Sequence, residues 1–150
     1  MTTTALNVME THLSAIQRVA ICFAAGVVGA LAVVLFSHVL FAVGLSTTLG
    51  VDAPVSLKSP DIYRPLFWGG LWGIPFGLLI KTTWARLYLV GLLYFLAPVL
   101  ALFTFFLPMS GAGFFGLKHG PAFAVYLLLV NLPFGIITAL VARAIIGKQP

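Results

Sequence analysis

The chain has 150 residues, of which 61% are hydrophobic and only 7% are charged, and its formal net charge is +5. Soluble domains carry about a quarter charged residues, and a small soluble fold leaves too much of its surface in water to hide this apolar content. The composition therefore excludes an ordinary soluble domain and predicts an integral membrane protein. The cations are scattered singly, whereas nucleic-acid binding needs clustered cations, so nucleic acid is not an expected partner.

The first segment, residues 1–16, is polar but carries apolar side chains three or four positions apart. These are Leu6, Met9, Leu13 and Ile16. The spacing places them on one helical face, and Asn7 with Glu10 could form a capping box. The pattern predicts a short interfacial helix, and a frayed terminus is the alternative interpretation.

Four long apolar segments follow, and each predicts a transmembrane helix. They cover about 18–44, 62–80, 87–107 and 121–146. A helix rises 1.5 Å per residue, so about 20 residues cross the roughly 30 Å hydrocarbon core. The short turn from Lys81 to Arg86 makes the second and third helices antiparallel neighbours. We therefore expect an all-α fold, a single domain over 1–150 with four transmembrane helices in an antiparallel bundle.

Two segments could be mistaken for other structures, one for a signal peptide and one for an ordinary loop. The first apolar run, Val19 to Leu45, is far longer than the roughly 7–15 residues of a signal-peptide core, so we interpret it as a retained membrane helix. The stretch from Pro108 to Gly120 is rich in glycine yet still apolar. It predicts a short interfacial or re-entrant turn rather than an ordinary loop.

The distribution of cations predicts the orientation. Five fall on one side of the predicted bundle and three on the other. The five are Arg18, Lys81, Arg86, Arg143 and Lys148, and the three are Lys58, Arg64 and Lys118. The positive-inside rule then places both termini in the cytoplasm.

Small residues predict where helices associate, because helices in lipid attract each other through close backbone contact. Gly69, Gly73 and Gly77 recur at every fourth position of the second helix, and Gly26 and Gly29 lie in similar patterns with Ala30 and Ala25 of the first. These five glycines are the predicted helix-packing residues, with a partner either in this chain or in another protein.

Prolines and tryptophans lie within or near the later helices. Pro75, Pro98 and Pro133 predict kinks that could open a cavity, although proline is also commoner in membrane helices generally. Amphipathic aromatic residues near the ends of the second helix predict an anchoring belt at the headgroup level, with ligand stacking as the alternative; they are Tyr63, Trp68, Trp72 and Trp84.

Groups able to carry chemistry are few. No Asp or Glu lies inside a predicted span, and no nucleophile–base set, metal-ligand spacing or phosphate-binding glycine loop is present, while the one cysteine, Cys22, lies in the first span. The sequence predicts no enzyme, no catalytic residue, no cofactor and no metal. The candidate polar site is His38, Asn131 and Arg64. We expect His38 to form an interhelical hydrogen bond, with haem or quinone binding as the alternative, and Asn131 to bond a neighbouring group.

Three segments resemble the YagU-like family, an uncharacterised family of small four-helix bacterial inner-membrane proteins. They are WGGLWGIPFGLL at 68–79, LPMSGAGFFGLKHGP at 107–121 and NLPFGIITALV at 131–141. The resemblance implies a four-helix fold in the bacterial inner membrane and names no activity. The family pattern has a histidine where Asn131 stands here, so no role for that histidine is carried over.

The leading hypothesis for function is a non-enzymatic accessory or scaffold subunit of a larger membrane complex, because small-residue faces are abundant and coupled ionisable groups are absent from the spans. Its expected partners are membrane lipids and other membrane subunits or further copies of the chain. The alternative is a small channel or carrier for a neutral or anionic solute, favoured by the prolines and the glycine-lined second helix. A lipid- or quinone-handling protein is the third hypothesis.

Overall fold

The computed structural model describes residues 13–147, with the side chains of 81–84 left aside. Over this range the chain is helical and contains no β-strand, which confirms the all-α class. The interfacial helix predicted for 1–16 falls almost wholly outside the described residues, as does Lys148.

Helix α1 spans Ala15–Ala42. It begins with a capping box in which the Ser14 Oγ accepts from the Gln17 backbone N–H at 3.2 Å and the Gln17 Oε1 accepts from the Ser14 N–H at 2.8 Å. It ends before Gly44, whose φ of 77° favours glycine. A short helix α2, Leu45–Thr48, follows, between the spans predicted at 18–44 and 62–80.

The second apolar segment forms helix α3, Tyr63–Thr83, and a 3₁₀ turn, Trp84–Arg86, connects it to the third. The third segment is not one regular helix. It consists of α4 (Leu87–Tyr94), α5 (Leu96–Ala101), a π-helical turn (Leu102–Phe106) and α6 (Leu107–Met109). The break at Phe95 precedes Pro98, which has no N–H to donate to the Tyr94 carbonyl.

The connection to the last helix is a 3₁₀ segment, Phe114–His119, after which α7 spans Pro121–Ile146. Phe115 and Gly116 both have positive φ, 56° and 69°. The Phe115 ring packs on Phe103 with centroids 5.2 Å apart, so this apolar turn folds back onto the helices. Pro75 and Pro133 lie inside α3 and α7, which run without interruption.

Within residues 13–147, three helices are long and apolar enough to cross a membrane: Ala15–Ala42, the composite Leu87–Met109 and Pro121–Ile146. Helix α3 is not among them. Its first turns contain Arg64, Pro65 and the two tryptophans, which lower its apolar content. The multi-pass architecture is therefore carried by three helices, and a fourth crossing stays a prediction.

The helices pack in the order α3, α1, α7, α4, with α1 and α7 at the centre. One end of the assembly, where α1 begins and α7 ends, is filled by a compact buried cluster. Its members are Cys22, Ala25, Phe76, Ile80, Leu87, Ala139 and Ala142. A second cluster, with Ala30, Phe95, Val99, Phe103 and Phe134, occupies the middle.

Glycines allow α1 and α3 to approach at backbone distance. A methyl group on Gly26 would overlap the carbonyl oxygen of Gly69, and one on Gly73 would overlap that of Cys22. A methyl on Gly77 would lie 3.0 Å from the carbonyl oxygen of Arg18. Gly26 thus meets Gly69 and Gly73 within one chain, whereas Gly77 lies against Arg18 and Val19.

The contacts of α7 also depend on glycine. A methyl on Gly29 of α1 would lie 2.8 Å from the carbonyl oxygen of Phe134. A methyl on Gly135 would overlap the carbonyl oxygen of Gly91 in α4. Gly91 and Gly135 were not predicted as packing residues. Gly91 has no small residue four positions away, whereas Gly135 and Ala139 have the same spacing as Gly26 and Ala30 and could have been selected.

Candidate functional site

A cavity of about 350 Å³ lies between α3 and the segment of α5 with the π-helical turn, with α1 and α7 behind it. We name it the α3–α5 cavity. Its lining residues are Ala30, Val33, Val55, Arg64, Pro65, Trp68, Gly69, Trp72, Pro98, Leu102, Phe106, Asn131 and Phe134. Four helices and the loop after α2 therefore contribute to one site.

Aromatic rings form much of its wall. Trp68 meets Phe106 edge to face, with ring centroids 4.9 Å apart, so these two rings join α3 to the π-helical turn. Trp72 and Phe134 lie deeper, and Phe134 is buried in the middle cluster. Trp68 and Trp72 were predicted as headgroup anchors, but both line the cavity, which is the arrangement that ligand stacking requires.

The polar groups of the lining are concentrated in two side chains, Arg64 and Asn131. Arg64 lies in the first turn of α3, exposed, and forms no ion pair with any residue in 13–147. The Asn131 Nδ2 donates to the Leu127 carbonyl of its own helix at 2.7 Å. A primary amide has a second N–H and a carbonyl oxygen, so Asn131 can still offer both to a ligand.

The inner end of the cavity is closed by a contact between α3 and α4. The Tyr94 hydroxyl donates to the Trp72 carbonyl at 2.6 Å, and the Tyr94 ring lies 4.9 Å from that of Phe76. Phe76 belongs to the compact cluster at the end of the assembly. The cavity thus opens toward the end that carries the loop after α2.

That loop is tied to the cavity mouth by one hydrogen bond. The Val55 N–H donates to the Ser37 Oγ at 3.0 Å, and the fully buried Ser37 hydroxyl donates to the Val34 carbonyl at 2.6 Å. Val55 itself lines the cavity. The loop therefore has a defined position against the mouth.

His38 takes no part in this site. Its Nδ1 lies 3.0 Å from the Val34 carbonyl oxygen, one turn earlier in α1, and His38 is not among the lining residues. The Nδ1 atom is therefore satisfied within its own helix, and the expected interhelical hydrogen bond stays a prediction. The structure brings together Arg64 and Asn131 of the predicted polar site and leaves His38 apart.

Within the described range no three His, Cys, Asp or Glu side chains come together as a metal site would require. Comparison of the chain with protein-family models, characterised proteins and solved structures gives no match. The resemblance to the YagU-like family therefore stays a prediction, and function is argued from the cavity alone.

Proposed function

We propose that the protein is a non-enzymatic membrane protein that takes up a small neutral or anionic solute in the α3–α5 cavity and acts as its carrier. The observation that carries this proposal is the cavity itself. Its volume of about 350 Å³ lies within the roughly 300–1,000 Å³ of small-molecule sites, and apolar walls with few polar groups are typical of such sites.

A carrier fits the geometry better than an open channel. Inward of Trp72 the helices are packed by the Tyr94 contact and the compact cluster, so the cavity does not continue toward that end. The wall opposite α3 contains the break at Phe95 and the π-helical turn. π-Helical turns are frequent at functional sites, and an irregular wall can change shape as alternating access demands.

The proposal includes α3 as a fourth crossing in an antiparallel bundle. Its 21 residues give a length of about 31 Å at 1.5 Å per residue, and its glycines follow α1 from Gly26 to Arg18 in opposite chain direction. Because five cations fall on one side of the bundle and three on the other, the positive-inside rule places both termini and the turn at 81–86 in the cytoplasm in this proposal. The bacterial inner membrane follows from the family resemblance.

One argument for the accessory-subunit hypothesis is weaker once the helices are packed. It depended on small-residue faces free to receive another protein, whereas Gly26, Gly69 and Gly73 receive each other's helices. The outward faces carry large apolar side chains such as Leu35, Leu89 and Leu100, which suit lipid equally well. An accessory role stays a prediction, to be tested by co-purification of other chains in mild detergent.

Filling the cavity tests the proposed function. Leu102→Phe adds volume at a lining position, whereas Leu100→Phe adds the same volume on the exposed side of α5. Both proteins, with the wild type, are reconstituted in phosphatidylcholine nanodiscs and titrated calorimetrically with neutral and anionic solutes, with empty nanodiscs subtracted. Flux of each binding solute is then measured in proteoliposomes.

We expect saturable binding and flux for at least one solute, lost in Leu102→Phe and kept in Leu100→Phe. Equal melting temperatures of the two variants would show that both fold. A panel without saturable binding, or binding that survives in Leu102→Phe, would contradict the proposal.

A further inference from the structure

Among the lining residues of the α3–α5 cavity, one is charged, and it is a cation. Arg64 stands at the outer end, where its guanidinium has no carboxylate partner among residues 13–147. Asp61 is one turn earlier and exposed, and Asp52 lies in the loop after α2, but neither forms an ion pair with Arg64 nor lines the cavity. The charge at the mouth is therefore available to a ligand.

Arg64 also has the geometry that binds anionic oxygens. A guanidinium donates two parallel hydrogen bonds to a carboxylate or a phosphate, and such bonds are stronger beside low-dielectric walls than in water. Trp68, one turn further into α3, is a wall residue beside Phe106. An anion held at Arg64 would thus have its remaining atoms directed toward aromatic rings.

The cavity volume limits the size of the ligand. A water-sized group occupies about 30 Å³ in a liquid, so about 350 Å³ accommodates roughly a dozen non-hydrogen atoms. A two-chain phospholipid is far too large. A free inorganic anion would fit but would leave Trp72 and Phe134 without apolar contact.

We infer that the cavity binds a small amphipathic anion of about a dozen non-hydrogen atoms in all: one carboxylate or phosphate monoester head at Arg64, joined to an apolar body that reaches Trp72 and Phe134. Asn131 supplies a further N–H donor or a carbonyl acceptor between the two ends. This inference rests on the proposed function and adds the chemical class of the solute.

Matched pairs of an acid and its amide test the class, because the two differ in charge and hardly in size. The probes are 4-tert-butylbenzoate with 4-tert-butylbenzamide and decanoate with decanamide. The first pair represents a compact ring and the second a flexible chain. Binding is measured at pH 8 by calorimetry in phosphatidylcholine nanodiscs, with empty nanodiscs subtracted to remove partition into lipid.

The variants isolate the charge at the mouth. Arg64→Gln removes the charge, and Arg64→Lys keeps the charge but replaces the planar guanidinium with an ammonium group. Arg86→Gln is the control, because it removes an exposed charge in the turn between α3 and α4. We expect at least one acid to bind the wild type about ten-fold more tightly than its amide. Arg64→Gln should abolish this preference, Arg64→Lys should keep part of it, and Arg86→Gln should keep all of it.

The results distinguish failure of the anion inference from failure of the proposed carrier function. Amides that bind as tightly as acids, with both weakened by Leu102→Phe, would overturn the anion inference and leave the carrier proposal standing. Acid preference that survives Arg64→Gln would also overturn it. If neither acid binds while another solute of the panel does, the ligand class is wrong although the site is right.

Discussion

Gly26 is one of the residues at which a single added carbon would overlap the backbone of another helix. A side chain there would strike the Gly69 carbonyl, which belongs to the backbone of α3 and cannot rotate away. Overpacking of this kind costs about 1–3 kcal/mol, and here it forces α1 and α3 apart. We predict that Gly26→Val lowers the free energy of unfolding by about that amount, measured by thermal unfolding in detergent with circular dichroism.

Ala24→Val is the control for this prediction, because Ala24 lies two positions earlier in the same helix and is exposed. It introduces the same β-branched side chain without a backbone neighbour. A Gly26→Val protein as stable as Ala24→Val would show that the contact between α1 and α3 tolerates separation. It would also remove the structural argument that these glycines hold the two helices together.

Polar residues of the candidate site could be selected from the sequence, but the groups that they contact in the folded chain could not be predicted. Arg64 and Asn131 were selected because polar groups are rare in apolar segments, and both line the cavity. His38 met the same criterion and is satisfied by Val34 of its own helix. A polar side chain in a helix can bond one turn back or reach a neighbour, and only the packing of the helices decides between the two.

At the scale of the elements, an interhelical hydrogen bond joins α3 to α4, from the Tyr94 hydroxyl to the Trp72 carbonyl. Such bonds contribute on average about 0.6 kcal/mol in a membrane protein, with a maximum near 1.7. We predict that Tyr94→Phe lowers the free energy of unfolding by about 0.5–1.7 kcal/mol, because the ring is kept and only the hydroxyl is lost.

Tyr88→Phe is the matched control. Its ring is exposed and lies 4.9 Å from the Arg143 guanidinium, a contact that phenylalanine retains. Unfolding of both variants is followed in detergent under identical conditions. Equal loss of stability in the two proteins would mean that the hydroxyl of Tyr94 has no special role at the closed end of the cavity.

The bounds of the long helices could be predicted from the length of the apolar segments. The irregularities within a helix could not, because they depend on local backbone geometry. The spans predicted at about 18–44 and 121–146 correspond to α1, Ala15–Ala42, and α7, Pro121–Ile146. Pro98 predicted a disturbance, and the break lies three residues earlier, at Phe95. The π-helical turn has no signal in the side-chain pattern; in the structure its Phe106 packs on Trp68 of α3 and its Phe103 on Phe115.

At the scale of the whole molecule, the two ends differ in packing and in charge. The end that contains Arg18, Arg86 and Arg143 is filled by the compact apolar cluster, whereas the cavity opens at the other end, beside Arg64 and Val55. If the cationic end faces the cytoplasm, the cavity faces outward. Orientation therefore decides from which side a solute would enter.

Single cysteines at four exposed positions test both the number of crossings and their direction. The positions are Ala15, Asp52, Ala85 and Lys118. The native Cys22 is fully buried, so it should not react with a membrane-impermeant maleimide. In intact cells with a permeable outer membrane, we predict labelling of Asp52→Cys and Lys118→Cys alone. Ala15→Cys and Ala85→Cys should react only after the inner membrane is opened.

The labelling pattern separates the fold from the orientation. Helix α3 is the only element between Asp52 and Ala85 that is long enough to cross. Reaction of both positions from the same side would therefore show that α3 does not cross, and the fourth span would be lost. The complete inverse pattern would preserve four crossings and turn the cavity toward the cytoplasm. In that case five cations against three would be too small a difference to set the orientation.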